Sequence, residues 1–355
     1  MRPAIDVSFH GQASEAAERA AEVERRGAVK GLFVPEGAHD PFITLALAAS
    51  STERLEVGTG IALAFARTPM SMAYSAYDLH QLSGGRSILG LGSQIKAHIT
   101  RRFDMPWSEP AKRMGEYVAA LRAIWHSWQT GDALDFQGDF YSHTLMPPLF
   151  NPGPLGFDAP RIWVAAVGPL MVKMAGQVGD GIITHPLISR SYLEDVTLPA
   201  LAEARSGRGD HQFEVATMAM VATGHTEEAL ATAIAGTRKQ IGFYASTPAY
   251  KPVLDHHGWG DLHTEAHAFT KTDRWSELAD LIDDEVLNTF AVVGDVATAG
   301  PALVDRFTGL ADRLNLSMPY KADPNLSLVL TDAGSIGEHP RTTPVQDPEA
   351  VGQRD

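Results

Sequence analysis

The residues best suited to chemistry come in short clusters that follow apolar runs. GGRSILGLGSQ, residues 84 to 94, sets four glycines around a short aliphatic run; such backbone lies close to phosphate or a flat ring because no side chain keeps it away. Two familiar motifs fail there. Gly90-Leu91-Gly92 opens a dinucleotide fingerprint, but the third glycine would fall at Ile95, and polar residues follow. Ser93-Gln94-Ile95-Lys96 matches the S-x-x-K of serine acyl enzymes without the S-D-N and K-T-G companions. Histidine offers the other chemistry. Among 14 histidines, His39 follows FVPEGA and stands beside Asp40, and an imidazole of ordinary pKa, about 6.5, is a natural acid or base. The plain alternative is a histidine bracing its own loop. His263 and His267 of HTEAH lie one helical turn apart, yet the glutamate is misplaced for H-E-x-x-H, so no metal site is expected.

These clusters need elements to hold them. Eight apolar, β-branched runs alternate with helical periodicity: AIDVSF (4 to 9), GLFVP (31 to 35), LEVGTGIAL (55 to 63), RSILGLG (86 to 92), RIWVAAV (161 to 167), GIITH (181 to 185), FEVATMAMVA (213 to 222) and TFAVVG (289 to 294). Between the first two, Ser14 is a candidate helix cap with Ala16, Ala20 and Val23 as the buried stripe and Gly27 as the stop. Eight such units closing on themselves predict an α/β fold, a (β/α)8 TIM barrel, with an open doubly wound sheet as the alternative. Two connections are too long for one helix, so insertions are expected after strands four (94 to 160) and seven (223 to 288). The first carries MGEYVAALRAIWHSW and then DFQGDFYSH, which reads as a hairpin. Residues 1–331 read as a single TIM-barrel domain, and 332–355, polar and rich in Pro, Gly and Asp, as a disordered tail.

Composition narrows the function. The chain of 355 residues is 44% hydrophobic with a formal charge of -14, and no basic run marks a nucleic-acid or anionic-membrane partner. It has no cysteine, its first residues show no charged stretch followed by an apolar run, and no apolar span nears the length of a membrane helix. A cytoplasmic protein acting on a small molecule is therefore expected, with the N-x-S sequons at Asn315 and Asn325 accidental.

A TIM barrel carries its active site where strands end. There stand His39 and Asp40, Gly60 and Ile61, the stretch from Gly92 through Ser93 and Gln94 to His98, then Ala166, Val167 and Gly168, and His185. This set is glycine-rich, apolar and short of acids, unlike a metal hydrolase or a lysine aldolase, and it suits a flat cofactor. Gly168-Pro169 reads as a helix N-cap and N1 pair, either a plain helix start or a phosphate socket. Asp180, between two glycines, reads as a turn residue.

Three pieces in this order, GAHDPFITLALAASSTERLEVGTGIALAFARTP (37 to 69), LSGGRSILGLGSQ (82 to 94) and RIWVAAVGPLMVKMAGQVGDGIITHPL (161 to 187), resemble the luciferase-like monooxygenase superfamily and, within it, the branch that uses deazaflavin coenzyme F420. The resemblance implies a non-prolyl cis peptide at Gly60-Ile61 behind the ring, coenzyme contacts from Asp40, Gly92, Ser93, Gln94, His98, Ala166, Val167 and His185, and phosphate on the helix opened by Gly168. Where the family's sugar-phosphate dehydrogenase places a catalytic glutamate, this chain has Ile95, which argues against the same reaction. The expectation is an oxidoreductase moving a hydride between F420 and a small organic substrate, with His39 as acid or base. An FMN-dependent monooxygenase on the same barrel is the alternative, and a non-catalytic cofactor carrier a third reading. A homodimer is expected through the helices ITLALAASS and MSMAYSAYDLH.

Overall fold

The computed structural model of the chain describes residues 1–209, 212–323 and 325–335. The strands are β1 (Ala4–Ser8), β2 (Gly31–Val34), β3 (Glu56–Thr59), β4 (Ser87–Gly92), β5 (Arg161–Ala166), β6 (Gly181–Thr184), β7 (Glu214–Ala222) and β8 (Arg313–Ser317). Each pairs in parallel with the next, and β8 returns to β1 with Leu314 opposite Ile5, so the barrel closes. After Thr59 the third strand breaks and resumes as Ala62–Leu63 against Leu91 and Gly92 of β4. The expected TIM barrel is present, with insertions after strands four and seven.

One strand differs from the expectation. TFAVVG is not the eighth strand: its first two residues finish the helix Asp284–Phe290, and only Ala291–Val293 extend, beside the last three residues of β7. The closing strand is RLNLS, whose inward residues are polar and so broke the apolar run that marks the other seven.

Interior layers explain why glycine is so frequent in the strands. Glu56, Arg161, Glu214 and Arg313 begin strands β3, β5, β7 and β8 and meet at the N-terminal floor with Asp6. Arg161 reaches Glu214 (2.6 Å) and Glu56 (2.8 Å), while Arg313 binds Asp6 and Glu56. Burial works against charge on Arg313, but Asp6 and Glu56 raise its pKa further, so it stays protonated. Above this plug Phe33 stacks on Trp163 at 5.4 Å between ring centres. Room for these rings comes from glycines facing them: a Cβ on Gly58 would lie 2.5 Å from the Phe33 ring, and one on Gly181 the same distance from the Trp163 ring.

Helices α1 (Ala16–Arg26), α2 (Pro41–Ser50), α3 (Pro69–Leu82), α4 (Lys96–Arg101), α5 (Pro110–Thr130) and α6 (Pro169–Val178) follow the first five strands. The α1 stripe of Ala16, Ala20 and Val23 is buried and Gly27 closes it at φ 74°. Its entry is a short 3-10 turn in which the Gln12 N–H donates to the Glu15 carboxylate (3.1 Å), so the capping contact lies there and not at Ser14. DFQGDFYSH forms the expected hairpin, Phe136–Gln137 against Ser142–His143, and the Glu116 carboxylate of α5 accepts the N–H groups of Asp139, Phe140 and Tyr141 across its turn. After β8, the helix Leu326–Ser335 packs on Val296–Phe307 and runs four residues past the boundary expected at 331; residues 336–355 lie outside the described residues. Among the described residues no helix is long and apolar enough to cross a membrane.

Candidate active site at the barrel mouth

The break in β3 shapes one wall of the mouth. The peptide between Gly60 and Ile61 is cis. The Gly60 N–H donates to Val34 O and the Glu36 N–H to Ile61 O, both at 2.9 Å, which fixes the bulge to the end of β2. Ile61 turns back over β4, where a Cβ on Gly92 would lie 2.5 Å from its Cδ1. The space above Gly92 is therefore filled by Ile61, and the glycine serves the bulge.

The loop after β2 carries His39 and Asp40. His39 is exposed and makes no hydrogen bond among the described residues. Asp40 has both carboxylate oxygens engaged: Oδ1 accepts the Phe42 N–H of α2 at 2.8 Å, and Oδ2 accepts from Arg67 at 2.7 Å. The same guanidinium donates to Glu36 (2.5 Å), whose Oε2 also accepts the Leu63 N–H (2.8 Å). Sequence reasoning missed Glu36 and Arg67; their signal was charged residues at the ends of two successive strands.

After β4, Ser93 and Gln94 are half-buried and engaged locally. Ser93 donates to Gln94 O (3.2 Å), and the Gln94 side chain accepts the Ile95 N–H (2.9 Å) at a backbone φ of 57°. His98 lies exposed on α4. After β5, Ala166 is buried at the strand end, Val167 follows, and Gly168 is the N-cap of α6 with Pro169 at its first turn. Met171 and Val172 donate to Gly168 O, Pro169 has no N–H, and the N–H groups of Gly168 and Leu170 find no acceptor among the described residues. A Cβ on Gly168 would meet nothing within 4 Å. The approach to this helix end is open.

After β6, His185 stacks on Tyr250 at 4.2 Å and meets Tyr244 edge-on at 4.5 Å; both tyrosines come from the second insertion. Its Nδ1 accepts the Leu187 N–H at 3.1 Å, so the ring proton sits on Nε2. Burial pushes its pKa down to about 3, and it stays neutral through the physiological range. Neither tyrosine was legible as a site residue, because the insertion is distant in sequence. Beyond the C-terminal ends of β1 and β8 a groove of about 600 Å³ runs along α1, with Phe9, Leu316 and Met318 on one side and Glu15, Glu18 and Glu22 on the other.

Other candidates take structural roles. His263 and His267 stack on each other and bond the carbonyls of Ala245 and Ser246; among the described residues no group of metal-binding side chains gathers. Asp180 holds the Ile162 N–H (2.9 Å) and Arg122 (2.7 Å). Asn315, set aside as an accidental sequon, lies on β8 and accepts from Ser8 at 2.7 Å.

The comparisons agree with this architecture. The sequence profile of the luciferase-like monooxygenase family matches residues 4–313. An uncharacterized protein of Mycobacterium tuberculosis is 52% identical over 312 residues, 87% of this chain and 92% of its own length. A putative coenzyme F420-dependent oxidoreductase of the same organism is 28% identical over 277 residues, 72% of this chain and 77% of that protein. In fold, the chain is similar to the coenzyme F420-dependent tetrahydromethanopterin reductase of Methanopyrus kandleri, with a TM-score of 0.72, 18% identity, and 94% and 98% of the two chains covered. The chain belongs to the luciferase-like monooxygenase family and is an enzyme of the oxidoreductase kind.

Proposed function

We propose that the protein is an F420-dependent oxidoreductase that moves a hydride between the deazaflavin and a small organic substrate. The observation that carries this reading is that the bulged third strand and the open N-terminus of α6 share one rim: a flat wall, and an anion socket with two N–H groups awaiting acceptors. A ring cofactor with a phosphate tail needs both. The F420-dependent relative supports the choice of coenzyme.

In this reading Gly60, Ile61, Ser93 and Val167 border the ring and the backbone at Gly168 and Leu170 holds the phosphate. When bound, the deazaflavin takes or gives the hydride. His39 supplies or removes the accompanying proton at an imidazole nitrogen, both being free of protein partners. His185 is unsuited to that task because it stays neutral; its Nε2–H is the group it can offer a ligand.

The family name itself keeps an FMN monooxygenase as the second reading. Titration with F420 and with FMN, followed by absorbance and tryptophan fluorescence, separates them. Micromolar binding of F420 is expected; binding of FMN with no response to F420 overturns the proposal. A homodimer completes it. Ile43 and Leu47 on α2 and Leu82 on α3 are 63%, 41% and 49% exposed, an apolar face that a second copy would cover.

A further inference from the structure

We propose that Arg67 is the positioning residue of the loop that carries His39: one guanidinium holds both ends of that loop and so sets where the imidazole stands. The inference rests on the reading of His39 given above and adds the residue that places it. Glu36 and Asp40 bound the loop, and they bind different nitrogens of Arg67, Nη1 at 2.5 Å and Nη2 at 2.7 Å. The bridge thus spans the loop instead of merely decorating one end.

Each carboxylate has a second task that fixes it to the fold. Glu36 also takes the Leu63 N–H, where the third strand resumes after its break, and Asp40 caps α2 through the Phe42 N–H. Arg67 therefore links three elements, the bulge, the end of β2 and the start of α2, around residues that are themselves free of contacts at His39. Its own backbone is anchored, since the Tyr117 hydroxyl of α5 lies 3.3 Å from the carbonyls of Arg67 and Thr68. A further guanidinium, Arg102 from the first insertion, donates to Gly37 O at 2.9 Å.

The side chains of Arg67 and Glu36 are only 18% and 7% exposed, so water screens this pair far less than a surface bridge. Lysine would restore the charge but not the geometry, because a compact ammonium lacks the planar fork that meets two carboxylates on separate nitrogens. Removing Arg67 leaves two carboxylates beside His39 with no cation between them. The loop ends then repel.

NMR relaxation and hydrogen exchange on the protein without coenzyme test this. In Arg67→Gln the backbone order parameters of Gly37, Ala38 and His39 should fall from the rigid range, about 0.85, to below about 0.6, the His39 ring resonances should move, and the Leu63 amide, held by Glu36, should exchange at least tenfold faster. Arg67→Lys should leave the loop as mobile as Arg67→Gln does. Asp40→Asn provides the second variant: asparagine still caps α2, so the Phe42 amide keeps its protection while the three loop residues lose order. Loop order parameters within about 0.05 of wild type in Asp40→Asn, or in a folded Arg67→Gln, overturn the proposal; Asp40→Asn decides alone if Arg67→Gln does not fold. A wild-type protein that fails to bind F420 overturns the functional reading, whereas the relaxation result bears on Arg67 alone.

Discussion

Replacing Gly168 with valine separates coenzyme binding from folding more cleanly than any other change at the mouth. The glycine sits at φ -79° and ψ 159°, a conformation open to any residue, and no heavy atom lies within 4 Å of an added Cβ. The folded protein should accept the side chain with a change in stability of at most about 0.5 kcal/mol. The loss falls on the anion. Two N–H groups, those of Gly168 and Leu170, are open at this helix end, and a hydrogen bond to a charged group contributes about 1.5–3 kcal/mol. An isopropyl group that denies the phosphate one or both of them should cost about 3 kcal/mol, roughly a hundredfold in Kd. Fluorescence titration with F420 reads the loss, and thermal unfolding on the same sample reads the fold. An unchanged Tm with a Kd within threefold of wild type would refute the placement of the phosphate on α6.

Other substitutions probe the remaining parts. His39→Ala should bind F420 within a few-fold of wild type and lower turnover by about 10²-fold in the coupled reaction, the scale of a general acid or base; near-normal turnover moves the proton elsewhere. Gly90→Ala should lose about 3 kcal/mol in urea unfolding, because its Cβ would stand 2.0 Å from Thr59 O and 2.9 Å from Ile183 Cδ1. His185 is neutral when folded, with its pKa pushed down to about 3. The unfolded chain binds its proton near pH ~6.5, so stability is complete above that value and falls as pH drops through it, by about 2 kcal/mol between pH ~7.5 and ~5. His185→Phe, which keeps the stack on Tyr250, should flatten that slope in urea midpoints. Sedimentation should give a dimer of the 38.2 kDa chain, and Leu47→Glu with Ile43→Glu a monomer; a wild-type monomer at every concentration removes the interface.

Most of the barrel was legible because seven strands are packed on both faces and read as continuous apolar runs. The eighth was not. Arg313, Asn315 and Ser317 point into a polar interior, so RLNLS alternates, while TFAVVG is apolar because a helix end and a short strand are both buried there. At the site, the Gly168-Pro169 helix start was written in consecutive residues, and the Gly60-Ile61 break came from the family resemblance. The sequence could not point to Arg67 joining Glu36 and Asp40, nor to Tyr250 against His185, because those contacts exist only after distant elements meet. Nor was it legible that the missing side chain of Gly92 makes room for Ile61 of the neighbouring strand.

The late position of β8 has a consequence for synthesis. Ser8 bonds Asn315 and Asp6 bonds Arg313, partners 307 residues apart. Until Arg313 has been made, a chain on the ribosome has no partner for the β1 edge that β8 covers, and the Asp6 carboxyl has no guanidinium to meet it. Closure waits until nearly the whole described chain has been made. A message truncated just before the codon for Arg313 would leave the β1 and β7 edges without their strand, a substrate for chaperones and proteases and not a shortened enzyme.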